Sequence, residues 1–563
     1  MKDDIQYDSK PWLAHYDPDV PAHIDYEDIC VPDFLEKSAK KYPNKMAFYF
    51  QGYRITFSKF NEMVNRFATC LSDFGVKKGD SVAILLPNVI ACPASYFAVV
   101  KLGAVAVMNN PLYTDRELEH QFNDSKTTVL ITLDLLCNRM IDLRNKTGIK
   151  QIVYTSIGDY LPFPKNLLFP LVAKKKGLAA QVKSSHNVFK WKDMINKYPP
   201  NPPKVIISPD DTAMYQYTGG TTGVSKGAIL THGNLSRNVQ QINRWTTGFK
   251  DGKEIMMGAL PFFHVMGLTV SMNFAIYKGW GNILVPKPQP EQLIDAISKG
   301  KPTLAPLVPT MFIGLLNHPE IEKADLSSIK MCFSGSAPLA LETINEFEKK
   351  TGSIIVEAFG MTESSPVVLV NPLGDGKRKI GSVGIPIADT VCRAVSLEDH
   401  KTDVPFGEEG ELIVQGPQVM KGYLNLPDET ANTIIDGWLY TGDIVKIDED
   451  GYFFIVDRLK DMILSGGYNV YPRDIDEVLF EHPKIKEACC IGLPHPTRGE
   501  HIKAFVVLAE DESATEKEIL NYCAEKLAKY KLPTSVEFRE ELPRSNVGKI
   551  LRKNLREEEA KKI

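Results

Sequence analysis

The feature that most constrains the fold of this chain is the alternation of short, apolar, β-prone runs with longer segments of helical periodicity. A helical pattern such as FSKFNEMVNRFATCLSDFG lies between such runs. Buried strands that alternate with helices indicate α/β layers with largely parallel sheets. The clearest runs are SVAILLP (81–87), AVAVMNNP (104–111), TTVLITL (127–133) and KQIVYTS (150–156).

The length and texture of the chain predict two domains. Its 563 residues exceed what one hydrophobic core usually serves. A stiff, proline-rich connector, YPPNPP at 198–203, begins a new subdomain within the first part. Near Asp457 to Asp461 the pattern changes to a compact series of helix, strand and helix with a basic tail, which suits a small α+β domain. We therefore predict a large N-terminal domain at 1–459 and a small C-terminal domain at 460–563.

Composition excludes several classes of protein. The net charge is -4, which gives no reason to expect a nucleic-acid partner. No apolar run reaches transmembrane length, and the first residues, MKDDIQYDSKPW, are acidic and polar rather than signal-like. The nine cysteines are scattered without a CxxC pair, which favours reduced thiols over a disulfide framework or a zinc site. These features predict a cytoplasmic protein.

A glycine-rich loop, YTGGTTGVSKG at 217–227, predicts an anion site. It is not a Walker A loop, because Lys226 follows a serine and precedes Gly227. Glycines nevertheless let backbone N–H groups face an anion, hydroxyls add donors, and the lysine adds charge. The simpler interpretation is a flexible surface hairpin. The candidate phosphate ligands are Thr218, Gly219, Gly220, Thr221, Thr222, Gly223 and Lys226.

Together with later motifs, this loop resembles the adenylate-forming superfamily, and most closely its bacterial long-chain fatty acid–CoA ligases. The motifs that follow it in order are FSGSAPL, AFGMTESSP, GWLYTGD, DRLKDMILSGGYNVYPRDIDEVL and LPRSNVGKILRK. The resemblance implies a large multi-subdomain N-terminal adenylate-forming domain and a small mobile C-terminal domain. It also implies the reaction: a carboxylate attacks the α-phosphate of ATP to give an acyl adenylate and pyrophosphate, and coenzyme A then displaces AMP.

The resemblance implies roles for the FSGSAP and AFGMTE motifs. Glu363 is expected to hold Mg²⁺ against the phosphates, since a hard cation prefers a carboxylate oxygen. Thr362 is expected to touch the α-phosphate. Phe359 is expected to stack on adenine, where many relatives carry tyrosine. Without its neighbours, Glu363 would be interpreted as an ordinary surface glutamate. The remaining nucleotide ligands implied are Gly335, Ser336, Ala337 and Gly360.

Further implied roles lie toward the C-terminus. Asp443 is expected to accept hydrogen bonds from the ribose hydroxyls, with Arg458 assisting; alternatively Asp443 caps a turn and Arg458 pairs with Asp457 or Asp461. Lys460 corresponds to the family's hinge, and Lys549 to its catalytic lysine, which bridges the carboxylate and the α-phosphate. Gly466 and Gly467 are expected to line the passage for the pantetheine arm, or simply to form a turn.

Two apolar segments bear on the substrate. PFFHVMGLTVSMNFAIYKGW, at 261–280, has the composition of an alkyl pocket, although it also suits a core helix; by resemblance, His264 stands near the carboxylate end. DYLPFPKNLLFPLVAKKKGL, at 159–178, joins apolar residues and prolines to three lysines. The prolines argue against a regular helix. The segment predicts either peripheral contact with the inner face of a membrane or a loop packed on its own domain.

Other functions of the same fold stay open at this stage. The chain could be an acyl-AMP ligase, an aryl acid–CoA ligase, or a nucleotide-binding relative without chemistry. Against the last, Lys549, Glu363 and Asp443 are all present. Homodimer formation is also left open by the sequence.

Overall fold

The computed structural model describes residues 7–166, 169, 177–218, 225–374, 377–465, 468–495, 499–545 and 550–562. By its internal contacts the chain divides into two units. One unit comprises Met1–Trp12, Cys392–Val414 and Tyr440–Ile563, and the other comprises Leu13–Val391 and Gln415–Leu439. The predicted domain boundary between residues 459 and 460 lies inside the segment Tyr440–Ile563 and stays a prediction.

The regular elements are numbered here in chain order over the described residues. The strands β1 to β26 are Met46–Phe50, Tyr53–Thr56, Ser81–Leu85, Val105–Met108, Val129–Leu133, Gln151–Thr155, Val188–Lys190, Thr212–Thr218, Lys226–Thr231, Ile255–Gly258, Gly281–Leu284, Leu304–Leu307, Met331–Ser334, Ile354–Gly360, Val367–Val370, Ile385–Pro386, Val391–Val395, Glu409–Gln415, Ile434–Ile435, Trp438–Ile447, Phe453–Arg458, Ile463–Ser465, Tyr468–Val470, Ile485–His495, Gly499–Leu508 and Ser535–Phe538. The α-helices α1 to α15 are Val31–Lys41, Phe57–Asp73, Ala91–Lys101, Asp115–Asp124, Asp134–Leu143, Trp191–Lys197, His232–Trp245, Phe274–Tyr277, Pro290–Gly300, Pro309–Leu316, Leu341–Thr351, Pro427–Thr433, Pro472–Phe480, Glu516–Lys526 and Arg552–Ala560.

Two large sheets build the unit that begins at Leu13, and both confirm the predicted α/β class. A seven-stranded sheet has the order β7-β6-β5-β3-β4-β8-β9, parallel except between β8 and β9. A nine-stranded sheet has the order β16-β15-β14-β13-β12-β10-β11-β1-β2 and is parallel from β14 to β1. The four apolar runs predicted as strands are β3, β4, β5 and β6.

Helices cover these sheets with their apolar faces. The predicted helix at FSKFNEMVNRFATCLSDFG is α2, which begins at Phe57. The side chain of Thr56, the residue before it, caps the helix by accepting a hydrogen bond from the Lys59 N–H. On the nine-stranded sheet, one core cluster joins strand residues such as Ala305 and Cys332 to Leu293, Phe312 and other residues of α9 to α11. This packing fixes the carboxyl ends of the parallel strands, where α/β proteins place their ligands.

The unit that ends at Ile563 carries the predicted small α+β motif. Strands β24 and β25 pair over ten residues, and β22, β23 and β26 extend the sheet. Helices α13 and α14 cover it through residues such as Ile475, Leu479 and Ile519. The predicted series of helix, strand and helix is therefore confirmed, with two long paired strands between the helices.

The segment 159–178 departs from expectation within its described part. Lys165, Asn166 and Phe169 are helical, so the inference that the prolines exclude a helix is wrong there. Pro164 precedes these residues, and proline is tolerated at the start of a helix. The ring of Phe169 lies against Gly158, where an added Cβ would come within 2.5 Å of it. Phe163, in contrast, is 79% exposed. Leu167, Leu168 and the three lysines lie outside the described residues.

Among the described residues, no helix is long and apolar enough to cross a membrane.

Candidate active site

The glycine-rich loop connects two paired strands. β8 ends at Thr218, directly opposite Lys226, the first residue of β9. Beyond the loop, the amide of Gln121 on α4 donates to Ser225 Oγ at 3.1 Å, and His120 Nε2 lies 3.0 Å from the Ser225 carbonyl oxygen. The stem of the loop is therefore attached both to the sheet and to α4. The predicted phosphate ligands Gly219, Gly220, Thr221, Thr222 and Gly223 lie outside the described residues.

Lys226 is held between an anion and an aromatic ring. Its side chain is only 16% exposed, and its ammonium pairs with the carboxylate of Glu429 on α12. The Nζ atom also lies 5.3 Å from the centroid of the Tyr423 ring, which is a cation–π contact. These contacts hold the charge of the lysine at the stem of the loop.

Glu363 is buried beside the same tyrosine. It lies in the 3₁₀ turn Thr362–Ser364, and the Tyr423 hydroxyl donates to its Oε1 at 2.7 Å. The backbone N–H of Met420 donates to the Glu363 carbonyl oxygen at 2.8 Å. Burial and the nearby Glu363 carboxylate raise the pKa of Tyr423 far above its ordinary value, so its hydroxyl stays a donor. Glu363 is therefore not the surface glutamate of the simpler interpretation.

Magnesium fits this donor set. In nucleotide sites Mg²⁺ usually takes one or two protein carboxylates and completes its shell with water and phosphate oxygens. Glu363 supplies one carboxylate close to Lys226, and both residues contact Tyr423. Such a donor suits a cation that arrives bound to the phosphates.

The FSGSAP and AFGM motifs meet at the carboxyl ends of two neighbouring parallel strands. β13 and β14 pair with Ser334 opposite Glu357. A Cβ added to Gly335 would lie 3.1 Å from Met266 Cε and 3.4 Å from the Ala358 carbonyl oxygen, and one added to Gly360 would lie 2.2 Å from the Pro366 carbonyl oxygen. Ser336, which is exposed like Ala337, has the left-handed φ of 73°. Phe359 is half-buried, and Thr362 follows in the turn of Glu363. The structure thus brings these predicted nucleotide ligands together.

Asp443 and Arg458 form a pair in the other unit. They face each other across β20 and β21, and Arg458 Nε lies 2.9 Å from Asp443 Oδ1. The guanidinium of Arg458 therefore pairs with Asp443, whereas Asp457 accepts from the backbone N–H groups of Arg458 and Arg473 and Asp461 pairs with Arg556. Asp443 is 2% exposed, and its Oδ2 has no hydrogen-bond partner among the described residues. That oxygen is an acceptor that suits a ribose hydroxyl.

The remaining C-terminal predictions are only partly described. Lys460 is exposed and directly follows Leu459, whose N–H donates to the Gly442 carbonyl oxygen at 2.9 Å. Gly466 and Gly467 lie outside the described residues, between the paired Ser465 and Tyr468. Lys549 also lies outside them, and the residues flanking its loop, Arg544 and Ile550, form an antiparallel bridge.

His264 precedes a π-helix rather than an ordinary core helix. The π-helix spans Gly267–Asn273, is fully buried, and continues into α8. The Met266 N–H lies 3.3 Å from His264 Nδ1, and burial lowers the pKa of His264 to about 4. His264 is therefore neutral at pH 7. π-helical turns occur frequently at functional sites.

Sequence reasoning missed three residues of this site. Tyr423 contacts both Lys226 and Glu363, and Glu429 pairs with Lys226. The third residue, Asn88, fixes the loop before His264. The Asn88 amide donates to the carbonyl oxygens of Gly258 and Leu260, while its oxygen accepts from the Phe262 N–H. Each acts on residues far away in the chain, and local sequence gives no signal for such contacts.

Comparison with known proteins agrees with this geometry. The family model of the AMP-binding enzyme matches residues 35–424, and that of the AMP-binding enzyme C-terminal domain matches residues 474–549.

Individual relatives match over nearly the whole chain. A long-chain-fatty-acid–CoA ligase of Bacillus subtilis (strain 168) is 45% identical over 554 residues, covering 98% of each chain. One of Escherichia coli O6:H1 is 39% identical over 562 residues, covering 98% of this chain and 99% of its own. The crystal structure of ATP-bound MatB from Rhodopseudomonas palustris is 29% identical with a TM-score of 0.82, covering 94% of this chain and 99% of MatB.

Replacing Asp443 tests the ribose contact. We expect wild-type protein to bind ATP at least tenfold more tightly than 2′,3′-dideoxy-ATP, about the value of one hydrogen bond to a charged group. Asp443→Asn should remove most of that preference, because the amide cannot accept as a carboxylate does. Equilibrium titration of both nucleotides measures it. An undiminished preference in the variant would contradict the assignment.

Proposed function

This chain belongs to the AMP-binding enzyme family, and we propose that it is an ATP-dependent long-chain fatty acid–CoA ligase. It joins a fatty acid to coenzyme A by way of an acyl adenylate. The observation that carries the proposal is the meeting of Lys226 and Glu363 on Tyr423, which provides a cation and a carboxylate at one phosphate site. Full-length similarity to long-chain-fatty-acid–CoA ligases supports the substrate class.

In the first half-reaction a carboxylate oxygen of the fatty acid attacks the α-phosphorus of ATP. The bond from that phosphorus to the pyrophosphate oxygen breaks, and pyrophosphate leaves. The chemistry gathers negative charge, so catalysis is mostly positioning and charge stabilisation. Lys226 and the loop hold the departing phosphates, Thr362 contacts the α-phosphate, and Lys549 bridges the two reacting anions. When bound, Mg²⁺ neutralises phosphate charge, and Glu363 is the residue that would hold it.

The adenosine part is held by separate groups. Phe359 offers its ring to the adenine, and Gly335, Ser336, Ala337 and Gly360 line the wall at the strand ends. Asp443 accepts from the ribose hydroxyls through its unpartnered Oδ2, and Arg458 fixes the other oxygen of that carboxylate. The nucleotide is therefore oriented before the carboxylate attacks.

In the second half-reaction the coenzyme A sulfur attacks the acyl carbonyl carbon. The carbon–oxygen bond to AMP breaks, and AMP leaves with the electron pair. We propose that the C-terminal domain, residues 460–563, pivots at Lys460 from 1–459 between the half-reactions, as domain closure can complete two different sites. Gly466 and Gly467 then leave room for the pantetheine arm, which side chains would fill.

The acyl chain is assigned to the segment 261–280. Its apolar π-helix and α8 are buried, and each CH₂ group removed from water contributes roughly 0.8 kcal/mol. His264 stands at the carboxylate end. An acyl-AMP ligase and an aryl acid–CoA ligase are the competing functions of the same fold.

We further propose a cytoplasmic enzyme that touches the inner face of a membrane through residues 159–178. All nine cysteines are free and buried, which suits a reducing compartment. Tyr160 and Leu161 anchor the segment in the core, and Phe163 projects from it. A substrate that partitions into bilayers gives such contact a purpose. A homodimer stays a prediction.

A panel of carboxylic acids tests the function. We expect pyrophosphate release with palmitate and oleate, and acyl-CoA only when coenzyme A is added, because the second step needs its thiol. A coupled pyrophosphate assay and mass spectrometry of the thioester measure the two steps. Pyrophosphate release with aromatic acids alone would indicate an aryl acid–CoA ligase. Formation of acyl-AMP without thioester would indicate an acyl-AMP ligase.

Two substitutions separate the half-reactions. Lys549→Ala should reduce the rate of adenylation by a hundredfold or more, which is the order of the rate loss when one charge-stabilising group is removed from an active site. The variant should still form thioester from supplied acyl-AMP. Gly467→Leu should show the reverse, because a bulky side chain obstructs the thiol. Single-turnover assays of each half-reaction measure both. Equal losses in both steps for Lys549→Ala would point to a structural lysine.

Phe163→Ser tests the membrane contact. We expect wild-type protein to sediment with anionic liposomes and the variant to bind at least threefold less, since an inserted phenylalanine contributes about 1.5–3 kcal/mol at full burial. Leu112→Ser is the matched control, because Leu112 is 75% exposed and lies outside the segment. Activity on short soluble acids and the melting temperature should not change. Equal liposome binding by both variants would end the hypothesis.

A further inference from the structure

We propose that Tyr423 is the positioning residue of the phosphate site, a spacer that keeps the ammonium of Lys226 and the carboxylate of Glu363 close but apart. The inference deepens the proposed function, because it rests on phosphate and metal binding by these two residues. Tyr423 lies in none of the motifs that identified the chain. Its role follows from its contacts alone.

The backbone around Tyr423 is fixed on two sides. On one side it runs along β9: the Ile229 N–H donates to the Gly422 carbonyl oxygen at 2.9 Å, and the Leu424 N–H donates to the Gly227 carbonyl oxygen at 2.7 Å. The Tyr423 N–H donates to Thr430 Oγ1 at 2.8 Å. These hydrogen bonds fix the position of Tyr423 relative to the start of β9, where Lys226 lies.

The ring and the hydroxyl of Tyr423 contact different residues. The ring face receives the Lys226 ammonium at 5.3 Å from its centroid, and the hydroxyl at the ring edge donates to Glu363 Oε1 at 2.7 Å. The lysine pairs with Glu429 and not with Glu363 among the ion pairs of the described residues. One rigid, planar side chain thus determines the separation of the two charges.

This separation matters for binding a metal–nucleotide complex. If Lys226 contacted Glu363 directly, its ammonium would occupy the carboxylate that a cation needs, and the cation would have to displace it. With Tyr423 between them, Glu363 is left for the cation, while Lys226 pairs with Glu429 and turns to the phosphate oxygens when the nucleotide binds. The hydroxyl bond also limits Glu363 to one orientation, since one of its two oxygens is already occupied.

Equilibrium titration of ATP, with and without Mg²⁺, tests the role without any turnover. The quantity of interest is the dissociation constant of ATP without Mg²⁺ divided by the dissociation constant with Mg²⁺. This ratio measures how strongly the metal strengthens nucleotide binding. Tyr423→Phe keeps the ring and removes the hydroxyl. It should lower that ratio about tenfold, as for one lost hydrogen bond to a charged group, and leave metal-free ATP affinity unchanged. An unchanged ratio overturns the proposal.

Tyr423→Leu removes the spacer itself. Lys226 and Glu363 should then pair directly, so metal-free affinity should also fall about tenfold, to the level of Lys226→Gln. Metal-free affinity equal to the wild-type value would contradict the spacer role. A tyrosine that only stabilises the fold would lower the melting temperature and both affinities together, with the ratio intact, and that result also overturns the proposal.

The matched control is Tyr198→Phe. Tyr198 likewise donates its hydroxyl to a carboxylate, that of Asp73, at the end of α2. Its loss should leave the ratio unchanged. The Glu363→Gln ratio tests the metal assignment independently: a wild-type value there refutes the role of Glu363 and the proposal with it. Because no acid or coenzyme A is present, failure of the ligase assignment leaves this test intact.

Discussion

The outer edge of β9 is the feature on which the site depends. β9 ends the seven-stranded sheet, and residues 421–424 complete it with hydrogen bonds such as that from the Ile229 N–H to the Gly422 carbonyl oxygen. An uncovered edge would leave a row of unpaired backbone groups. The same segment continues back to Met420, whose N–H donates to the Glu363 carbonyl oxygen. It therefore joins the loop of one large sheet to the turn that follows β14 of the other.

One carboxylate of the candidate site, that of Asp443, has a buried oxygen that the described residues leave without a partner. Asp443 engages Arg458 with one oxygen, and its other oxygen is buried without a partner among the described residues. Leaving a buried acceptor unsatisfied costs about 1–3 kcal/mol, and more for a charged group, so such an atom in a native fold calls for an explanation. The ribose contact proposed for Asp443 would supply the missing hydrogen bond.

The sequence predicted the secondary-structure elements and the motifs well, but it predicted poorly which residues contact one another across the fold. Strands β3 to β6 and helix α2 follow from local periodicity, because neighbouring residues determine burial on a strand or helix face. Tyr423 and Asn88 could not be found, because their partners are brought near only by tertiary packing. The helical residues after Pro164 were misjudged, since a proline that breaks a helix interior can begin one. The residues of the glycine-rich loop and Lys549 keep their predicted roles as proposals.

The placement of His264 shows how backbone packing determines which nitrogen of a buried histidine carries the proton. A Cβ at Gly267 would lie 2.2 Å from the Pro261 carbonyl oxygen, so only glycine lets the π-helix start against the loop that Asn88 holds. In that position His264 Nδ1 accepts from the Met266 N–H. The neutral ring therefore carries its proton on Nε2, as a donor. In the role proposed for His264, an uncharged donor would orient the substrate carboxylate without the strong ion pair that lowers the nucleophilicity of a carboxylate.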